Sequence, residues 1–178
     1  MAKLSVGIGE IQTSTAPDDV IMALGLGSCV GIVFLDGCTG TVGVAHCMLP
    51  VCRTEREDDK PGRYVDRAVD ELLHRMGVCD IFAGRLVAAV VGGASMFQFT
   101  GPATLDIGRQ NIDTAEGLLR VRSIPTAASD VGGCSGRSLI VHVADGRVVV
   151  RTEGNERELT VLAEASRRRQ MRAALKVA

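Results

Sequence analysis

Val30-Gly31-Ile32-Val33-Phe34-Leu35 and Val42-Gly43-Val44-Ala45-His46-Cys47-Met48-Leu49 are two apolar runs separated by Asp36-Gly37-Cys38-Thr39-Gly40-Thr41. Apolar residues rich in Val and Ile, bounded by Gly, Asp and Thr, predict two strands joined as an antiparallel hairpin. If the turn centres on Gly37 and Cys38, residues whose numbers add to 75 oppose one another, as Cys29 and His46 do. Their Cβ atoms then lie ~4.5–5.5 Å apart. A loop longer by two residues moves the total to 77 and keeps both side chains on one face as diagonal neighbours. A one-residue bulge puts them on opposite faces. This hairpin decides the fold and sets up the chemistry.

Outward from it, residues 4–8 and 20–24 read as short strands. Residues 86–91 are almost wholly apolar, the mark of a central strand buried on both faces. Gly92-Gly93-Ala94-Ser95 follows as a tight loop. Asp145-Gly146 between residues 138–144 and 147–152 is a two-residue hairpin signal. Val65, Ala68, Val69, Leu72 and Met76 recur at helical spacing and Gly77 follows, which predicts a helix over residues 64–76. Residues 107–121 and 156–176 read as two more helices, and residues 52–62 as a charged loop. The expected fold class is α+β in a single domain, with the main body over residues 1–155. Residues 156–178 form a C-terminal amphipathic helix packed on that body or extending from it.

The chain has 178 residues, 46% of them hydrophobic, which allows one sizeable core and argues against disorder. Aromatics make up only 3% and Trp is absent, so Val, Leu, Ile and Ala must fill that core. A net charge of −1 implies no nucleic-acid partner, which normally requires a basic field. Arg167, Arg168, Arg169 and Arg172 read as the solvated face of the last helix. No apolar leader follows Lys3, and the best membrane candidate, residues 86–97, lacks charges but is far short of the ~20 residues of a spanning helix. A cytoplasmic protein without membrane insertion is expected. Its six cysteines should then be free, most of them packed as small buried hydrophobes.

Cys29 stands apart because Gly25-Leu26-Gly27-Ser28 precedes it. Glycines permit backbone conformations that aim consecutive N–H groups at one point. Such donors, here around Gly27 and Ser28, would lower the thiol pKa and stabilise an oxyanion formed on attack. Cys29 is accordingly expected to be the thiol alkylated fastest. Of the three histidines, His74 sits on a predicted helix surface and His142 within a strand. His46 reads as structural or as the base for Cys29, and composition does not choose between them. A zinc site built from Cys29, His46, Cys47 and Cys52 is the chemical rival, but no C-x2-C pair supports it. No metal and no organic cofactor are expected.

Gly7-Ile8-Gly9-Glu10, Leu24-Gly25-Leu26-Gly27-Ser28-Cys29-Val30 and Ala45-His46-Cys47-Met48-Leu49-Pro50 resemble the CheD family of chemoreceptor glutamine deamidases. So do Gly92-Gly93-Ala94-Ser95-Met96-Phe97, Ile107-Gly108-Arg109-Gln110-Asn111, and Asp130-Val131-Gly132-Gly133 with Gly136-Arg137. The resemblance spans roughly residues 5–150. It implies an α/β sandwich of mixed, largely antiparallel sheets flanked by helices, similar to toxins that deamidate glutamine. It also implies a cysteine hydrolase, a protein-glutamine glutaminase, with Cys29 as nucleophile and His46 as base. The implied substrates are methyl-accepting chemotaxis receptors, and a CheC-type response-regulator phosphatase is an implied partner.

The family usually carries threonine six residues before the cysteine, where this chain has Ala23. Either another polar group, Thr41, Ser28 or Thr13, orients the imidazole, or turnover is reduced and the chain serves as a binding module for phosphatase and receptors. Cys134 and Ser135 are a second departure, in the glycine loop. Gly92, Gly93 and Ser95 either line the site or let the chain leave a buried strand. Asn111 and Asp130 either position substrate or cap local backbone. Phe97 and Phe99 read as core.

Overall fold

The computed structural model describes residues 1–53, 60–79, 85–95 and 106–175. Along them run β1 (Lys3–Ser5), β2 (Ile11–Ser14), β3 (Val20–Leu26), β4 (Val30–Asp36), β5 (Val42–Cys47), α1 (Val65–Arg75) and β6 (Leu86–Gly92). There follow α2 (Ile107–Val121), β7 (Thr126–Val131), β8 (Arg137–His142), β9 (Arg147–Thr152), β10 (Asn155–Val161) and α3 (Leu162–Ala174). Strands β4 and β6 are buried at every position, which requires neighbours on both edges and both faces. Accordingly they lie inside one five-stranded sheet of order β2-β5-β4-β6-β7. The second sheet has the order β1-β3-β8-β9-β10.

Strand alternation assigns the layers. Val33 and Leu35 of β4, with Val42 and Val44 of β5, face the second sheet and pack on Ile21, Leu139, Val141 and Val148. Val30, Ile32 and Phe34 point the other way, onto Val69 and Leu72 of α1 and Ile112 and Leu119 of α2. A helix pair therefore covers one sheet, and the two sheets share the inner core. Gly43 is where α1 crosses closest, since a Cβ there would lie 2.8 Å from both Leu72 Cδ2 and Met76 Sδ. The α+β sandwich of mixed, largely antiparallel sheets is thus as expected, and no helix among the described residues is long and apolar enough to cross a membrane.

The hairpin takes the longer of its two same-face registers. Val30 opposes Cys47 and Gly31 opposes His46, so paired numbers add to 77 rather than 75. The reason lies in Asp36, which stays in β4 and closes the loop through its N–H to Thr41 O at 2.9 Å. Its carboxylate is fully buried, accepting from Cys38 N–H at 2.9 Å and from Arg85.

The sequence reading needs correction elsewhere too. Residues 155–161 form a strand, not the start of a helix, because their pairing with β9 outweighs the helical propensity of Glu-Arg-Glu-Leu. β10 therefore crosses the expected boundary at residue 155, and the last helix begins only at Leu162. β2 and β7 also form where no strand was expected. Only Cys29 and Cys47 are buried thiols, whereas Cys38, Cys79 and Cys134 are exposed. Phe97, Phe99, most of the 52–62 loop and the end of the last helix at Lys176 fall outside the described residues.

Candidate active site

His46 faces the inner core from β5 and is 1% exposed. The segment just after β1 wraps its backbone: Gly9 N–H donates to His46 O at 2.8 Å, and His46 N–H donates to Glu10 O at 3.1 Å. This gives Gly7-Ile8-Gly9-Glu10 a structural reason. The imidazole Nδ1 lies 3.2 Å from Val6 O, and because a carbonyl only accepts, Nδ1 carries the proton. Nε2 is left as the basic nitrogen, buried and without a hydrogen-bond partner among the described residues. Val6 is itself fixed, donating its N–H to Met22 O of β3 at 2.8 Å.

Cys29 sits just before β4, 9% exposed, on the face that His46 shares. As diagonal neighbours across an antiparallel pair, the two residues are ~7–8 Å apart at Cα, with Cβ atoms somewhat closer. The loop that carries Cys29 has an ordered set of bonds. Gly27 O accepts from Ala94 N–H at 2.7 Å, Cys29 O from Gly93 N–H at 2.7 Å, and Ser28 O from Asn111 Nδ2 at 2.8 Å. Three successive carbonyls are thus held. The N–H groups of Gly27 and Ser28 have no acceptor among the described residues, that of Cys29 acts on its own thiol, and Ser28 is exposed.

The glycines of the 92–95 loop make this approach possible. Gly92 has φ +112°, and a Cβ there would lie 2.3 Å from Cys29 O. Gly93 has φ +68° and packs against Ile112 and Gly108 O. Both therefore border the Cys29 loop as well as ending a buried strand. Ser95 anchors the next glycine loop, donating its N–H to Gly133 O at 2.9 Å. Asn111 is fully buried and also donates to Met48 O at 3.0 Å, so it bonds backbone carbonyls of other elements rather than capping its own helix. Asp130 is held by the guanidinium groups of Arg137 and Arg157, an ion-paired cluster that shapes the 132–136 loop. That commitment explains the residue without a substrate.

Burial acts on both reactive groups in the same sense. It pushes the Cys29 thiol up, against the opposing effect of its own backbone N–H. It pushes the His46 imidazole down, outweighing the Val6 carbonyl and the Glu10 charge, which both raise it. Cys47, on the helix side of the sheet, is pushed up further by complete burial. The pair at rest is therefore a neutral thiol beside a neutral imidazole. Burial thus works against a standing thiolate at Cys29, and Cys38, Cys79 and Cys134 are the more exposed thiols.

None of the expected stand-ins for threonine holds the imidazole. Thr41 bonds Thr39 at the far end of the hairpin. Thr13 opposes Gly43, on the other face from His46, and no bond joins the Ser28 side chain to the ring. The Val6 carbonyl takes that place, a backbone atom that residue type does not reveal. Among the described residues, no three His, Cys, Asp or Glu side chains converge as metal ligands.

Comparison with known proteins adds to this geometry. Residues 48–152 match the family model described as CheD chemotactic sensory transduction. A probable chemoreceptor glutamine deamidase CheD of Methanococcus vannielii is 38% identical over 153 residues, covering 86% of this chain and 96% of that protein. A protein of the same name from Clostridium botulinum strain Hall is 35% identical over 153 residues, covering 85% and 94%. The family-model match begins beyond both Cys29 and His46, whereas the stretches aligned with these two relatives are long enough to span both positions.

Proposed function

Since this chain belongs to the CheD family, we propose that it is a chemoreceptor glutamine deamidase working through a Cys29 thioester. The observation that carries the reading is His46 itself. Its Nδ1 is committed to Val6 O, and its Nε2 is a buried base without a partner on the face that holds the Cys29 thiol. Exposed Ile8, Leu24 and Val51 flank the segments that carry the pair, apolar surface suited to a receptor helix rather than to a small polar amide.

In the proposed reaction the Cys29 S–H proton passes to His46 Nε2 as sulfur attacks Cδ of a receptor glutamine. N–H groups of Gly27, Ser28 and Cys29 bind the developing oxyanion, each donor worth ~3–4 kcal/mol of barrier. The C–N bond breaks as His46 returns the proton to nitrogen, releasing ammonia and leaving a thioester. Water then gives a proton to His46 and attacks the acyl carbon. Sulfur leaves, takes the proton back and frees glutamate. Every step uses one base and one nucleophile of this chain, with no cofactor.

Incubation with receptor cytoplasmic fragments, followed by peptide mass spectrometry, tests the reading. Conversion of specific glutamines to glutamate supports it. Tight binding of fragments or of a CheC-type phosphatase without conversion would leave only a binding module.

Two further results are expected. A neutral resting pair is reactive wherever imidazole is unprotonated and thiol retains its proton. With His46 pushed below its ordinary ~6.5 and Cys29 pushed up, kcat/KM should be flat through neutral pH, its acid limb below 6.5. A rate that climbs steadily from pH 7 to 9 would instead indicate that the thiolate must form first. Ala23 is fully buried beside Val6, so Ala23→Thr should leave kcat within about threefold while overpacking costs ~1–3 kcal/mol. A tenfold gain would show that Val6 O alone orients the ring poorly.

A further inference from the structure

Asn111 occupies a position where a buried polar side chain is costly. It is fully buried on α2, beside Ile112 and Ala115 of the helix-side core. Its Oδ1 has no hydrogen-bond partner among the described residues, an arrangement that is unfavourable in itself. Its Nδ2, in contrast, uses both hydrogens. One goes to Ser28 O at 2.8 Å and the other to Met48 O at 3.0 Å. Two carbonyl acceptors also fix which end of the amide is nitrogen.

The two acceptors are not arbitrary. Ser28 O belongs to the peptide unit whose N–H is that of Cys29. A trans peptide is planar, with C=O and N–H pointing in opposite directions, so holding the carbonyl aims the Cys29 N–H. A donor on the carbonyl also polarises the unit and strengthens that N–H. Ser28 is exposed, and no other described residue bonds its carbonyl. Met48 lies two residues beyond His46, so the same amide ties the nucleophile loop to the strand of the base.

We propose that Asn111 is a positioning residue, aiming and polarising the Cys29 N–H towards the reacting oxygen and fixing the loop at its distance from the His46 strand. This rests on the deamidase reading for its consequence in turnover, but not for its effect on the Cys29 thiol. Loss of the amide frees the Ser28–Cys29 peptide to turn, which removes an oxyanion donor and the N–H that stabilises the thiolate.

The test compares Asn111→Leu, which keeps the branched outline of the side chain, with wild type and with Asp36→Asn. The last breaks the buried Asp36–Arg85 pair at the opposite end of β4 and serves as a control for stability. For Asn111→Leu, kcat should fall ~10²–10³-fold with KM within about threefold. The pH profile of Cys29 alkylation by chloroacetamide, followed by peptide mass spectrometry, should move to higher pH. Asp36→Asn should lower the melting temperature yet keep the wild-type kcat and alkylation profile. Asn111→Ala is read the same way should the leucine variant not fold. An Asn111 variant with the wild-type alkylation profile, or Asp36→Asn losing as much kcat, overturns the proposal. A wild-type protein that converts no receptor glutamine sinks the deamidase reading alone, and the alkylation arm still decides the role of Asn111.

Discussion

Cys29→Ala is expected to bring glutamine conversion to background, a loss of at least about 10⁴-fold in kcat. Removing a nucleophile that acts as a unit with its base leaves only what binding and backbone donors supply. The fold should survive, because the change removes one sulfur from a residue at the edge of the inner core and disturbs none of the loop's hydrogen bonds to Gly93, Ala94 and Asn111, in which Cys29 takes part only through its backbone. The measurement is product glutamate by mass spectrometry alongside a thermal melt. Residual activity above about 1% of wild type would move the nucleophile elsewhere. Cys47, the other buried thiol, faces the helices from within a strand and is no substitute.

Gly92→Ala should be the most damaging single-methyl change near the site. At φ +112° the backbone is in a region that L side chains avoid, a strain of ~1–3 kcal/mol. The new Cβ would also lie 2.3 Å from Cys29 O, a backbone atom that cannot swing aside as a side chain does. Relief requires β6 and the nucleophile loop to separate by roughly an ångström, and such a misplacement costs ~10²-fold in rate. A fall of roughly 5–10 °C in melting temperature should accompany it, at ~2–4 °C per kcal/mol. The contrasting control is Gly117→Ala, where nothing lies within 4 Å of the added carbon and stability should hold or rise. Equal behaviour of the two variants would refute the close approach at Gly92.

How far the sequence reveals this protein depends on which forces leave a local trace. The hairpin was legible because side-chain alternation has a period of two, so an error of two in register left Cys29 and His46 on one face. The buried run of β6 and the helical spacing of α1 were equally plain. β7 was not, because Thr-Ala-Ala-Ser-Asp-Val lacks a run of β-branched or aromatic residues and is a strand only through its parallel pairing with β6. β10 misled for a related reason: its charged residues suit a solvated edge strand as well as a helix, and only β9 decides between them. At the site, residue types singled out Cys29 and His46 but not the atoms that hold them. Val6 contributes a carbonyl that any residue possesses, and Asn111 acts on backbone more than sixty residues distant in sequence.

The pairing of β3 with β8 has a consequence for the order in which the molecule is made. Val20 meets His142, and the loop before Cys29 leans on Gly93, Ala94 and Asn111. Much of what gives the thiol its setting is therefore translated after it. A nascent chain emerging from the ribosome carries β1 to β5 early but lacks β6, α2 and β8 until later, and such distant closures are slow. The bonds that hold the Cys29 loop can therefore form only once α2 has been made.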